Sequence, residues 1–113
     1  MAIAELERKM IEKWCRTRVP EEHQDEVKVV AEFRGNSATI VDARSPCDEE
    51  LGPEWTRVRV AKPTRDLASG RWKLFARDRN DKLLHYSDEF KLGPHLSGLL
   101  EELERDPTCI FWG

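Results

Sequence analysis

The stretch from Thr56 to Tyr86, TRVRVAKPTRDLASGRWKLFARDRNDKLLHY, leaves this chain few choices of fold. Arg57-Val58-Arg59-Val60-Ala61 alternates charged and apolar residues, the period-2 pattern of a half-buried strand. Pro63 to Gly70 gathers Pro, Asp, Ser and Gly and reads as a turn. Trp72-Lys73-Leu74-Phe75-Ala76-Arg77 alternates again, and Asn80-Asp81 turns the chain into a third strand, Leu83 to Tyr86. Three strands joined by such short connections can only run antiparallel, because a parallel pair needs a long crossover.

The segments on either side extend this meander and cover it. Ala2 to Thr17 is an amphipathic helix whose apolar stripe is Ile3, Leu6, Met10, Ile11 and Trp14. Glu5/Lys9, Arg8/Glu12 and Glu12/Arg16 are opposite-sign i,i+4 pairs on its remaining surface, and Pro20 ends it. Val27 to Phe33 and Ser37 to Ala43 form a hairpin across Gly35-Asn36, with Val27, Val29, Ala31 and Phe33 on one side. Asp42 to Pro53 reads as a loop whose acidic run, Asp48-Glu49-Glu50, lacks the ligand spacing of a hard-cation site. Ser87 to Leu92 is a connector, and Gly93-Pro94 opens a second helix with Leu96, Leu99, Leu100 and Leu103 on its apolar face. Glu101, Glu102 and Glu104 on that helix are read as solvent-facing, and Asp106-Pro107 stops it. The expected fold is a single α+β domain over residues 1–113. It has an N-terminal helix, a five-stranded antiparallel meander and a C-terminal helix, with both helices on the Val58/Trp72/Leu74 face in two layers.

Charge is distributed unevenly. The net charge is −3, yet Arg57 to Tyr86 holds nine Lys or Arg against three acids, which leaves −9 for the rest of the chain. On the meander, Arg57, Arg59, Lys73, Phe75 and Arg77 share the face opposite the core, joined by His85 or Tyr86 according to register. Cations beside aromatic rings are what a single-strand nucleic-acid binder presents, the cations to phosphates and the rings to bases. The competing reading is a solvated sheet face shielded by long basic side chains, which a sequence pI of about 5.7 favours.

Other chemistry is sparse. Cys15, Cys47 and Cys109 and His23, His85 and His95 sit in no local catalytic signature, and no zinc spacing or Gly-rich phosphate loop is present. Neither a metal nor a cofactor is expected. Arg77-Asp78-Arg79 with His85 is the cluster most suggestive of catalysis, set against a turn-capping Asp between two solvated arginines. There is no apolar run of membrane-spanning length and no secretory signal, so no membrane association is expected. An odd number of scattered cysteines suits reduced thiols and a cytoplasmic protein. The end of the chain, Ile110-Phe111-Trp112, is read as a lid on the core, with a partner-binding peg as the alternative.

RVRV, GRWKLFARDRNDKLLHY and a leucine-striped helix ending ERDPTCIFWG resemble the small bacterial proteins grouped as domain of unknown function family 3024. The likeness is good over Arg57 to Gly113 and loose before it, and Leu84 stands before His85 where an aromatic is more usual. It implies a fold and a bacterial setting but no activity. The function expected from the residues is a non-enzymatic binding or adaptor module with a nucleic-acid or protein partner. Single-strand nucleic-acid binding by the basic face, and an enzyme built on the Arg/Asp/His cluster, are the alternatives.

Overall fold

Each alternating stretch is a strand. In a computed structural model that describes residues 3–45, 55–77, 80 and 82–112, they are Val27–Arg34 (β1), Ser37–Arg44 (β2), Thr56–Arg65 (β3), Trp72–Arg77 (β4) and Leu83–His85 (β5). They form one antiparallel sheet in the order β1-β2-β3-β4-β5. The β1–β2 hairpin turns on Gly35-Asn36, with Gly35 at φ 58°, a conformation that glycine adopts without a Cβ clash. The Asn36 side-chain amide then donates to the Arg65 carbonyl at 2.6 Å, tying this turn to the far end of β3.

The central strand is longer than its turn residues suggest. The run from Pro63 to Gly70 is not a turn throughout: β3 continues to Arg65, and only the Asp66 to Arg71 segment reverses the chain. Pro63 is fully buried opposite Leu74 of β4. It can occupy an interior strand because the ladder to β2 pairs Ala61 and Thr64 but not Lys62 or Pro63, so the missing N–H leaves no bond unmade. A register shift opposite Ile40 and Val41 inserts one extra residue in β3. Val60 and Ala61 are both buried in the core as a result, and the alternation changes parity at this point.

Both helical layers lie on the core face. Glu5–Thr17 (α1) packs on β1, and Leu96–Arg105 (α3) packs on β4. α1 buries Ile11 and Cys15, with Ile3 just before it and Trp14 packed against the cluster. Two members of the expected stripe are not in the core: Leu6 is 74% and Met10 38% exposed. The helix is rolled so that Glu7 faces the sheet, where its carboxylate accepts from Trp72 Nε1 and lies 3.9 Å from Arg65. Arg8 sits over the Phe33 ring at 4.5 Å. The Glu5–Lys9 and Arg8–Glu12 pairs form at 3.5 and 3.3 Å. α3 begins at Leu96 rather than at Pro94, whose carbonyl instead accepts from the Trp72 N–H at 2.8 Å. Val58, expected under the helices, is 56% exposed because α1 and α3 cover β1 and β4 and leave that end of β3 bare.

The expected strand Leu83 to Tyr86 stops at His85, and Tyr86–Glu89 forms a short helix (α2) within the expected connector. Tyr86 is wholly buried. Its hydroxyl donates to Glu102 Oε2 at 2.8 Å and lies 3.2 Å from Thr108 Oγ1, so Glu102 is a buried-network partner rather than a solvent-facing acid. Burial raises the Tyr86 pKa, and the Glu102 carboxylate adds to the effect. The tail closes as a lid. Asp106, in the left-handed region at φ 43°, ends α3, and its carboxylate accepts from the N–H groups of Phe111 and Trp112 at 3.2 and 3.0 Å. Phe111 is buried against Tyr86 with ring centroids 4.8 Å apart, and Trp112 Nε1 donates to the Leu103 carbonyl at 2.7 Å. The peg is therefore not the arrangement in the folded domain.

Cys15 supplies a titration prediction. It is 3% exposed. Burial, with the nearby Glu12 charge second, pushes its thiol from an ordinary value of 9.0 to about 12. The unfolded chain loses this proton first, so the contribution is fully present below pH 9 and is lost as pH rises toward 12. The slope from this one group is at most about 1.4 kcal/mol per pH unit. Urea melts between pH 8 and pH 11 on Cys15→Ala against the parent chain will show a smaller alkaline loss in the variant. Equal losses in the two proteins would mean that Cys15 ionises freely in the folded state.

Candidate nucleic-acid interface

The face of the sheet opposite the helices is built by register. Phe75 lies opposite Lys62 on β3 and His85 on β5, so these three form one row across the sheet. Lys73 opposite Thr64 and Arg77 opposite Leu83 make the rows on either side. The Phe75 and His85 rings are stacked, with centroids 4.9 Å apart and planes at 25°. Because β5 ends at His85, it is His85 and not Tyr86 that joins the face. Beside Phe75 lies an open hollow of about 390 Å³ lined by Asn36, Thr64, Asp66 and Lys73 among others.

The β3–β4 turn gives this hollow one anionic wall. Asp66 Oδ1 accepts from the Ala68 and Ser69 N–H groups at 2.9 and 3.1 Å, and Oδ2 lies 3.3 Å from Lys73 Nζ. The Ser69 and Ala68 bonds, followed by Lys73, hold the Asp66 carboxyl below its ordinary pKa. Lys73 is thus steered toward the hollow but remains partly exposed.

Of the six residues expected on this face, the structure groups four: Lys73, Phe75, Arg77 and His85. Arg57 and Arg59 share the face but stand farther along β3, opposite Ala43 and Val41. Arg57 is paired with Glu32, and Lys28 stands 5.0 Å over the Trp55 ring. Val41 points to this side and is only 1% exposed, but Lys28, Glu32, Arg57 and Arg59 around it are exposed, whereas Lys62, Lys73, Phe75, Arg77 and His85 are half-buried. Sequence reasoning missed Lys62. Plain alternation from Arg57 and Arg59 assigns it to the core side, and the one-residue bulge returns it to the face beside Phe75.

The other chemical candidates come to less. Asp78 and Arg79 lie outside the described residues, as do Cys47 and the acidic run Asp48-Glu49-Glu50. Among the described residues no group of three His, Cys, Asp or Glu side chains is placed to hold a metal. A larger hollow, about 790 Å³, lies between the bare end of β3 and the tail, and it brings Arg57, Arg59 and Arg77 together with Val58, Leu84, Phe90 and Ile110. Among its described lining residues Cys109 has no histidine or carboxylate beside it, so no nucleophile–base pair forms there. No described helix is long and apolar enough to cross a membrane.

The sequence profile of the family described as Domain of unknown function (DUF3024) matches residues 1–113. The chain belongs to the DUF3024 family. The match takes in α1 and the β1–β2 hairpin, where the resemblance read from the residues was loose, as well as the meander and the tail. No curated protein and no solved structure matches this DUF3024 chain.

Proposed function

We propose that this DUF3024 domain is a non-catalytic binding module and that its β3–β5 face takes single-stranded nucleic acid. The observation that carries the reading is the stacked Phe75–His85 pair, set between Lys62, Lys73 and Arg77 on the side of the sheet that α1 and α3 leave open. A base laid against the free side of Phe75 extends an existing stack, and every base offers a π-face, so the contact is tolerant of sequence. Lys62 stands in the Phe75 row and Lys73 and Arg77 in the rows on either side, where they meet the phosphates. In the adjoining hollow, the Thr64 hydroxyl and the Asp66 carboxylate are within the same 390 Å³ space to meet base edges. The free Cys15 and Cys109 thiols support a cytoplasmic setting for the module.

Titration of a fluorescent oligo(dT) or oligo(U) at low salt tests the reading. Binding is expected to weaken as salt rises with a slope of about 2 log units per log unit, the single-strand value for three phosphate contacts. Phe75→Ala will cost about 1 to 3 kcal/mol of binding. Lys62→Glu with Lys73→Glu will abolish it while leaving the melt close to that of the parent, since exposed pairs contribute little to stability. No binding at low salt, or binding indifferent to these changes, removes nucleic acid as the ligand.

A further inference from the structure

The apolar residues that α1 leaves out of the core lie on one line. Leu6, Met10, Lys13 and Thr17 recur at helical spacing on the outer side of α1. Ser97, Leu100, Glu101 and Glu104 form the matching stripe on α3. Between the two stripes runs an open groove of about 350 Å³ with Met10, Trp14 and Leu100 among its lining residues. Leu6, just beyond its end, is the most exposed large apolar side chain of the described residues at 74%. A soluble surface seldom sets a protruding leucine beside an apolar groove without a use for both.

The charges say what fits. One wall of the groove carries Lys13 and the other carries Glu101 and Glu104. They do not meet within the chain, and none of the three forms an ion pair among the described residues. A basic wall facing an acidic wall, with a knob and a hole in the same patch, is self-complementary. That is the requirement of a twofold interface, in which one patch meets its own copy. A single-signed partner would satisfy one wall and oppose the other.

We infer that the α1–α3 groove is a homodimer interface, with a second copy of this chain as its occupant. In the dimer, Leu6 of each copy covers the Met10–Trp14–Leu100 floor of the other, and Lys13 of each faces Glu101 and Glu104 of the other. The helices lie on the side of the sheet away from Phe75 and His85, so dimerisation leaves both β3–β5 faces open and does not depend on what they bind.

Sedimentation equilibrium at tens of micromolar, where a micromolar dimer is well populated, tests the inference on the full chain. The parent protein is expected to sediment as a dimer and Leu6→Glu as a monomer with an unchanged melt. Lys13→Glu alone places acid against acid in both halves of the interface, and Glu101→Lys with Glu104→Lys places base against base. Each of these variants is expected to be monomeric by itself. Mixed one to one, they restore opposite signs across both halves and sediment as a heterodimer, which no folding defect could produce. A monomeric parent protein, a dimer that survives Leu6→Glu, or a mixture that stays monomeric would each overturn the proposal.

Discussion

Tyr86→Ala will cost about 3 to 5 kcal/mol of folding stability, the loss usual for a buried aromatic cut back to a methyl group. Tyr86 is wholly buried, and its ring meets Phe90 at 4.4 Å and Phe111 at 4.8 Å between centroids. Its hydroxyl is the point where α3, through Glu102, and the tail, through Thr108, are joined to the end of β5. A domain of this kind has about 5 to 15 kcal/mol in total, so the variant will sit close to its unfolding threshold. Tyr86→Phe separates the two contributions. It keeps the ring and removes one hydrogen bond, with an expected loss near 1 kcal/mol because Glu102 is half-buried and can turn to water. Urea melts analysed by linear extrapolation measure both. A loss below about 1 kcal/mol for the alanine variant would mean that α3 and the tail are held in place by something other than Tyr86.

Deleting Ile110 to Gly113 will have an effect of similar size. Phe111 belongs to the core cluster, and Ile110 and Trp112 pack against it. Trp112 also stands 6.4 Å from Trp14 and under the Arg18 guanidinium at 4.9 Å. Removing a buried aromatic costs about 3 to 5 kcal/mol, and here Asp106 loses both of the N–H donors that satisfy its carboxylate. The truncated chain will melt markedly lower and bind a hydrophobic dye at temperatures where the full chain does not, since Tyr86 and Leu103 lose their cover. An unchanged melt would show that the tail is dispensable to the fold. Asp106→Ala gives a milder version of the same experiment, leaving the lid residues in the chain but two of their backbone donors unbonded.

How much of this was legible in the sequence depends on the range of the interaction. Strands β1, β2 and β4, the Gly35-Asn36 turn and the leucine face of α3 are local patterns, set by periodicity and by residues that favour particular backbone angles. So were the placing of Lys73, Phe75 and Arg77 on one face, and the reading of the tail as a lid, which follows from the cost of leaving three bulky apolar residues in water.

The rest was decided by pairing across distance. The bulge that returns Lys62 to the open face depends on how β3 meets Ile40 and Val41, and nothing local in β3 announces a one-residue slip. Pro63 reads as a turn former until the gap in the β2 ladder gives it a place in a strand. Tyr86 leaves the strand because α3 and Thr108 hold its hydroxyl in the core. The apolar spacing of α1 was correct, but its rotation was not contained in that spacing. Glu7 reaching Trp72 turns Cys15 inward and Leu6 outward. An amphipathic pattern states that a helix has a side to bury, and only the surface it meets selects which residues of a broad stripe are covered.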